Sequence, residues 1–379
     1  MKKLKIADKV IGEGEPCFII AEAGVNHNGN VELAEKLIDA AKEAGVDAVK
    51  FQTWKTEEIV TKKVSTPEYQ KKSSGESQYE LLKKLELSEK DFERLAEYAR
   101  SAKIIFLSTP EGESCTDFVD RLNVPAFKIG SADLTNHLHL AYVARKRKPI
   151  ILSTGMATLE EVREAVKVIK NAGNNKIILL HCTSNYPVKW GDVNLRAMLT
   201  LKREFELPVG YSDHTIGIDV SIMAALLGAR VIEKHLTLDK NLPGPDHKAS
   251  LDPNEFGEMV KGIRSAEKDI VVEGMLGEKL LEISRKVPIE REVLENIEKI
   301  LGRPEKKPTK SEKEMIKLAR KYIVAGKDIQ KGDVIAADML CVKRSGGGLE
   351  PKYLDKIIGK RAKSGIRKDE PITFEKVVK

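Results

Sequence analysis

From about residue 17 onward, short apolar, β-branched runs alternate with longer amphipathic stretches. Strands are predicted over 17–24, 46–53, 104–109, 126–131, 150–154, 177–183, 209–212 and 231–237, eight in all. Helical periodicity fills most of the intervals, for example 31–44, 159–171, 219–227 and 253–272. Strand–helix alternation of this kind means parallel βαβ units, and eight of them close a (β/α)8 TIM barrel. A doubly wound open sheet is the competing α/β architecture, but no Gly-x-Gly-x-x-Gly follows the first strand. Ahead of the barrel, residues 4–15 carry Gly12 and Gly14 between apolar positions and read as a hairpin closing its bottom.

Composition changes past the last barrel helix. Residues 274–313 are rich in Lys, Glu and Pro and read as a charged helical linker, with Pro288, Pro304 and Pro308 as breakers. Residues 314–379 then form a compact, Gly-punctuated second domain of roughly 65 residues, near the lower limit for independent folding. The barrel domain is thus 1–273, and the whole chain of 379 residues accommodates both.

Charge narrows the function little. A net charge of +7 arises from 65 basic and 58 acidic residues that are interleaved, without the aromatic–basic alternation of a single-strand binder, so nucleic acid is not expected. No apolar run approaches a membrane span, and no signal h-region follows Met1-Lys2-Lys3. Four scattered cysteines without a CxxC pair fit reduced thiols, so a cytoplasmic location is expected.

The chemistry of such a barrel sits at the C-terminal strand ends, and polar residues concentrate there. Glu22 ends the first strand; Lys50 and Gln52 share one face of the second. Ser108 and Thr109, Lys128 and Ser131, and Ser153 and Thr154 end the next three. The sixth runs into His181-Cys182-Thr183-Ser184-Asn185-Tyr186, the seventh into Ser212-Asp213-His214, and the eighth carries Glu233 and His235. A lone Lys or Glu inside a barrel costs several kcal/mol, roughly, unless a partner or ligand satisfies it. Internal ion pairing explains one Lys–Glu pair more readily than the whole ring. Lys50, Lys128 and the hydroxyls could hold a phosphate and a carboxylate. His214 and His235, on adjacent strand ends, could converge on one metal; imidazole with carboxylate and water suits manganese, iron or zinc, with magnesium at lower affinity. A Schiff base on Lys50 or Lys128 is the rival chemistry. His137 and His139 read as solvated or capping, His181 as a hydrogen-bonded barrel residue, and Cys182 as packing.

Several stretches resemble the sialic acid synthase family. They are Glu22-Ala23-Gly24-Val25-Asn26, Val49-Lys50-Phe51-Gln52-Thr53, Phe127-Lys128-Ile129-Gly130-Ser131, Leu152-Ser153-Thr154-Gly155-Met156, His181 through Pro187, Gly210-Tyr211-Ser212-Asp213-His214 and Pro243-Gly244-Pro245-Asp246. The second domain, with Lys343-Arg344-Ser345-Gly346-Gly347-Gly348, is similar to that family's antifreeze-like domain. The resemblance implies condensation of phosphoenolpyruvate with N-acetylmannosamine to give N-acetylneuraminate and phosphate. It leaves as alternatives a legionaminic or pseudaminic acid synthase acting on a diacetamido-trideoxyhexose. A metal-independent pyruvate aldolase and an ice- or sugar-binding protein are the readings from other classes.

Residue by residue, the resemblance implies phosphoenolpyruvate on Lys50, Thr109, Lys128, Ser131, Ser184 and Ser212. It implies a divalent metal, manganese or magnesium, on His214 and His235, and the sugar on Gln52, Tyr186, Glu233 and Asp246. Glu22 or Asp133 would activate a water. Arg344 would reach the N-acetyl group from the neighbouring protomer of a domain-swapped homodimer. Asp133 stands where a Glu is common in the family, and Ser184 where some members carry Asn.

Overall fold

The computed structural model describes residues 3–65, 76–271, 273–285 and 288–378. A short antiparallel hairpin, β1 (Leu4–Ile6) and β2 (Lys9–Ile11), precedes the barrel. The barrel strands are β3 (Phe18–Gly24), β4 (Ala48–Thr53), β5 (Ile105–Pro110), β6 (Phe127–Ile129), β7 (Ile150–Ser153), β8 (Ile177–Cys182), β9 (Val209–Asp213) and β10 (Val231–His235). They close in sequence order, β10 pairing in parallel with both β9 and β3. The eight strands expected from the apolar runs are the eight observed, with ends shifted by a residue or two.

Strand periodicity of two sorts each strand's residues between the barrel interior and the helices. The lower interior layer is apolar: Ile20, Ala48, Leu107, Ala126, Ile151, Ile178 and Val231 pack together, and Ile6 and Ile11 of the hairpin join them. The hairpin thus plugs the N-terminal end. One step of two residues further along the same strands, the interior positions become Glu22, Lys50, Thr109, Lys128, Ser153 and Glu233. Outward positions such as Ile19, Val49 and Leu179 belong to the main core shared with the helices. Lys234, also outward, is fully buried and pairs with Asp213 at 2.8 Å while donating to the Thr215 carbonyl, fixing β10 against the turn after β9.

Helix entry follows local chemistry. Thr158 and Glu161 form a reciprocal capping box before Leu159–Asn171, and Asp252 with Glu255 does so before Pro253–Ala266. That last helix, expected to reach 272, ends at Ala266, after which Val271 N–H turns back to the Leu226 carbonyl.

The stretch 274–313, read as a charged helical linker, carries the helices Leu276–Ile283, Arg291–Glu295 and Ile297–Leu301, and part of it is buried. Leu276 and Leu280, four apart, and Ile283 are buried in the main core from the helix Leu276–Ile283, with Val293, Ile300 and Leu301 behind them. A helical apolar stripe lay beneath the high charge content and outweighs it. The helix Glu312–Ala319 then leads into β11 (Tyr322–Ala325), which pairs with β12 (Leu340–Lys343). The second domain has its own small core around Ile323, Ile335, Ile357, Ile366 and Ile372.

Candidate active site

At the C-terminal barrel end a cavity of about 180 Å³ is lined by Glu22, Lys50, Gln52, Thr109, Lys128, Ser131, Ser153, Ser184, Tyr186, Ser212, His214, Glu233, His235 and Asp246, with Arg344 at its rim. These are nearly all the residues singled out from strand ends and motifs. Among the residues given a catalytic, metal or substrate role Asp133 is the exception, and of the other strand-end residues Ser108, Thr154, His181 and Asp213 also lie outside the lining.

The charged residues do pair among themselves, further than one Lys–Glu pair. Lys50 Nζ lies 2.5 Å from Glu22 and 3.7 Å from Glu233, and donates to Thr109 Oγ1 at 3.2 Å. Lys128 Nζ is 3.3 Å from Glu233, whose Oε1 also accepts the Ser212 hydroxyl at 2.9 Å. Gln52 donates to Glu22 at 2.7 Å. Burial alone would push the Lys50 amine down, but Glu22 and Glu233 reverse this and hold it above its ordinary value. Burial leaves the Lys128 amine below its ordinary value despite Glu233. Two lysines and two carboxylates thus form a compact buried cluster. What a closed structural cluster would not show is the open cavity beside it and the orphaned atoms on its wall, among them Ser153 Oγ and His235 Nδ1.

A second feature is a cradle over Gly155. A β-carbon there would fall 2.4 Å from Ser184 Oγ and 2.8 Å from Ser131 Oγ, so glycine is required for the two hydroxyls to approach. Gly155 N–H donates to Ser131 Oγ at 2.9 Å, orienting it. Cys182 Sγ sits 3.2 Å from Ser131 Oγ, with its thiol pKa raised by burial, in keeping with a packing role rather than a nucleophile. Gly24, at φ +51°, likewise leaves room between Glu22, Gln52 and His235.

His214 and His235 meet edge to face with ring centroids 5.7 Å apart, and the Tyr186 ring lies 4.3 Å from that of His214. His214 Nδ1 donates to the Thr183 carbonyl at 2.8 Å, which leaves Nε2 with its lone pair. Burial, then the neighbouring His235, lowers the His214 pKa to about 4; burial, then Lys50, lowers that of His235 to about 3. Asp246, 3.7 Å from His235, is pushed up to about 7 by burial and by Glu22. Two neutral imidazoles, one with an orphaned nitrogen, fit a divalent cation. Among the described residues no cluster of three metal-binding side chains forms, so further coordination positions would fall to water and substrate.

Asp133 has other partners in the structure. It does not line the cavity; Lys321 of the second domain bonds its Oδ2 at 2.9 Å and Asn136 its Oδ1 at 2.9 Å. Lys321 and His139 outweigh burial and hold its pKa down at about 2. Of the two candidate bases, Glu22 alone faces the cavity. His139 is buried and bonds the Pro110 carbonyl at 3.2 Å rather than being solvated, and His181 bonds the Val193 carbonyl at 2.8 Å as a barrel histidine should. Arg344 reaches its own chain's barrel, where the resemblance implies the neighbouring protomer's. Its guanidinium bonds Glu111 at 2.7 and 2.8 Å, and its backbone pairs with Ile59 and Thr61.

Sequence reasoning missed Glu111, Trp54, Gln78, Met315 and Lys321. Glu111 and Trp54 directly follow β5 and β4, so the strand-end rule could have found both; Gln78 and Met315 come from the helices Gln78–Leu85 and Glu312–Ala319, outside the barrel strands, and Lys321 from the second domain.

A model of the NeuB family matches residues 37–273, and a model of the SAF domain matches residues 320–378. An N,N'-diacetyllegionaminic acid synthase of Legionella pneumophila is 44% identical over 372 residues, covering 97% of this chain and 96% of that protein. One of Campylobacter jejuni is 42% identical over 359 residues, covering 94% and 98%. The crystal structure of the spore coat polysaccharide biosynthesis protein SpsE of Bacillus subtilis superposes with a TM-score of 0.81 at 35% identity, covering 100% of this chain and 99% of that one. Among the described residues no helix is long and apolar enough to cross a membrane.

Proposed function

The chain belongs to the NeuB family of sugar acid synthases, and we propose that it condenses phosphoenolpyruvate with a 2,4-diacetamido-trideoxyhexose, giving a legionaminic-type 2-keto acid and phosphate. The observation that carries the choice of sugar is the apolar part of the cavity wall. Val25, Trp54, Leu81, Leu82 and Leu85 make it apolar, and Gln78 adds a buried amide oxygen without a hydrogen-bond partner. A deoxy methyl and a second acetamido group suit such a wall better than the hydroxyls of N-acetylmannosamine, the acceptor expected first; Gln78 Oε1 can accept an amide N–H. The identity to two legionaminic acid synthases points the same way. In a kinetic comparison, kcat/KM for the diacetamido sugar should exceed that for N-acetylmannosamine by about 10–200-fold, the value of a matched apolar group. Equal or reversed preference would overturn the choice.

In this reading Lys50, Lys128 and Thr109 bind the donor's anionic groups, with Ser131 and Ser184 on the phosphate. A divalent cation held by His214 and His235, manganese or magnesium, would polarise the sugar's aldehyde oxygen. Tyr186, Gln52 and Asp246 border the space left for the sugar. C3 of phosphoenolpyruvate attacks the aldehyde carbon, the C=O π pair moves to the aldehyde oxygen, which takes up a proton to become a hydroxyl, and C2 becomes cationic. Glu22 takes a proton from the water that adds at C2. The C2–O bond to phosphate then breaks, and the buried Lys50 and Lys128 stabilise the departing charge.

The seat of the second domain could equally be filled by a neighbouring copy, which is the domain-swapped homodimer expected from the resemblance. Complementation tests it. Inactive His235→Ala protein mixed with Arg344→Ala protein should regain partial activity, because an exchanged hybrid dimer has one site with both residues intact. No recovery after proven subunit exchange would mean that each chain covers its own barrel.

A further inference from the structure

Glu312 lies at the end of the stretch that reads as a linker, yet it is only 1% exposed. Its Oε1 accepts two backbone N–H groups, from Met156 at 2.7 Å and from Ser184 at 2.8 Å. Its Oε2 accepts the Thr309 N–H at 2.8 Å and the Thr309 hydroxyl at 3.2 Å. Met156 and Ser184 stand in the turns after β7 and β8, on either side of the Gly155 cradle, and both line the cavity. One carboxylate oxygen therefore ties together the two turns whose relative position sets the distance between Ser184 Oγ and Ser131 Oγ.

The tie continues along the chain. Met315 and Ala319, on the helix that Glu312 begins, form part of the cavity wall. Arg320 then bonds the Met156 carbonyl at 2.8 Å and Glu161 at 2.7 Å, so Met156 is held from both its N–H and its C=O. Lys306, also buried, lies close enough to Glu312 for their charges to interact. A buried carboxylate accepting several N–H bonds is a strong, directional anchor, and an unmet amide left by its removal would be free to reorient the turn.

We propose that Glu312 is a positioning residue for phosphoenolpyruvate, holding the Gly155–Met156 and Ser184 turns at the spacing that the donor's phosphate requires. The interdomain segment is thereby a working part of the anion site. This rests on the reading that Ser131 and Ser184 hold that phosphate. Because Glu312 consumes the Ser184 N–H, the Ser184 hydroxyl is what remains for the ligand.

The test uses the full-length protein with Glu312→Ala, Glu312→Gln and the control Ser131→Ala/Ser184→Ala. Glu312→Ala should raise the KM for phosphoenolpyruvate by about tenfold or more and change that for the sugar by less than about twofold. Glu312→Gln keeps an amide oxygen for the Met156 and Ser184 N–H groups and should recover most of the donor KM. Should Glu312→Ala fail to fold, the Gln variant and Glu312→Asp, whose shorter arm should again raise the donor KM alone, carry the test. A fall in kcat or in active fraction with both KM values unchanged would overturn the proposal, since that is what a merely structural anchor gives. If the serine control leaves the donor KM unchanged, the phosphate reading itself fails and the proposal falls with it. If the control responds and the Glu312 variants do not, the positioning role alone is wrong.

Discussion

Replacing His235 by Ala should lower turnover about a thousandfold while leaving the barrel folded. Polarising a carbonyl through a bound cation contributes several kcal/mol, and each 1.4 kcal/mol is a factor of ten in rate. With only two histidines at hand, losing one leaves a single protein ligand. The fold should survive because His235 Nδ1 has no hydrogen-bond partner to lose, and the ring sits at the cavity edge rather than in the apolar layer below. Chelator should have the same effect on the wild-type protein, and manganese should reverse it. A circular dichroism melt alongside the phosphate assay separates the two causes of inactivity. Full activity in metal-free wild-type protein would remove the cation from the reaction and favour Schiff-base chemistry.

Lys128→Ala should weaken phosphoenolpyruvate binding by about 1.5–3 kcal/mol, the value of one charge-assisted bond, or roughly 10–150-fold in affinity. The loss should appear in the donor's KM more than in the sugar's. Lys128 is also the sharper probe of the rival mechanism, because its amine is the one that burial holds below its ordinary pKa, as a Schiff-base lysine requires. Its 3.3 Å contact with Glu233 argues for a charged, anion-binding amine instead. Borohydride added with either substrate should give no adduct. Reduced adduct on Lys128 or Lys50 in the mass spectrum would reverse the assignment.

The barrel was legible because both of its periodicities are local. Ile20 and Glu22, or Ala126 and Lys128, sit two apart on one strand, so the sequence alone says that apolar floor and polar ceiling share a face. Counting eight such strands then places Glu22, Lys50, Lys128, Glu233 and His235 in one ring. What could not be read was how far partners distant in sequence reach into that ring. Asp133 lies in the right turn but is claimed by Lys321, 188 positions away. Glu312 looked like one more charge in a charged stretch, because nothing nearby announces that its partners are the Met156 and Ser184 amides. The apolar stripe of Leu276, Leu280 and Ile283 was detectable by helical spacing, and the surrounding Lys and Glu masked it. Arg344 shows the same limit: its turn is evident from three glycines, but its partner Glu111 is not.

Phosphoenolpyruvate, through cleavage of its own C–O bond, should drive carbon–carbon bond formation with an amino sugar. The direct measurement is a mass balance on purified protein with manganese, the diacetamido sugar and either phosphoenolpyruvate or pyruvate. One phosphate and one new 2-keto acid should appear for each phosphoenolpyruvate consumed, with no phosphate without the sugar and no product from pyruvate. Product formed from pyruvate, or phosphate released without a matching 2-keto acid, would contradict it.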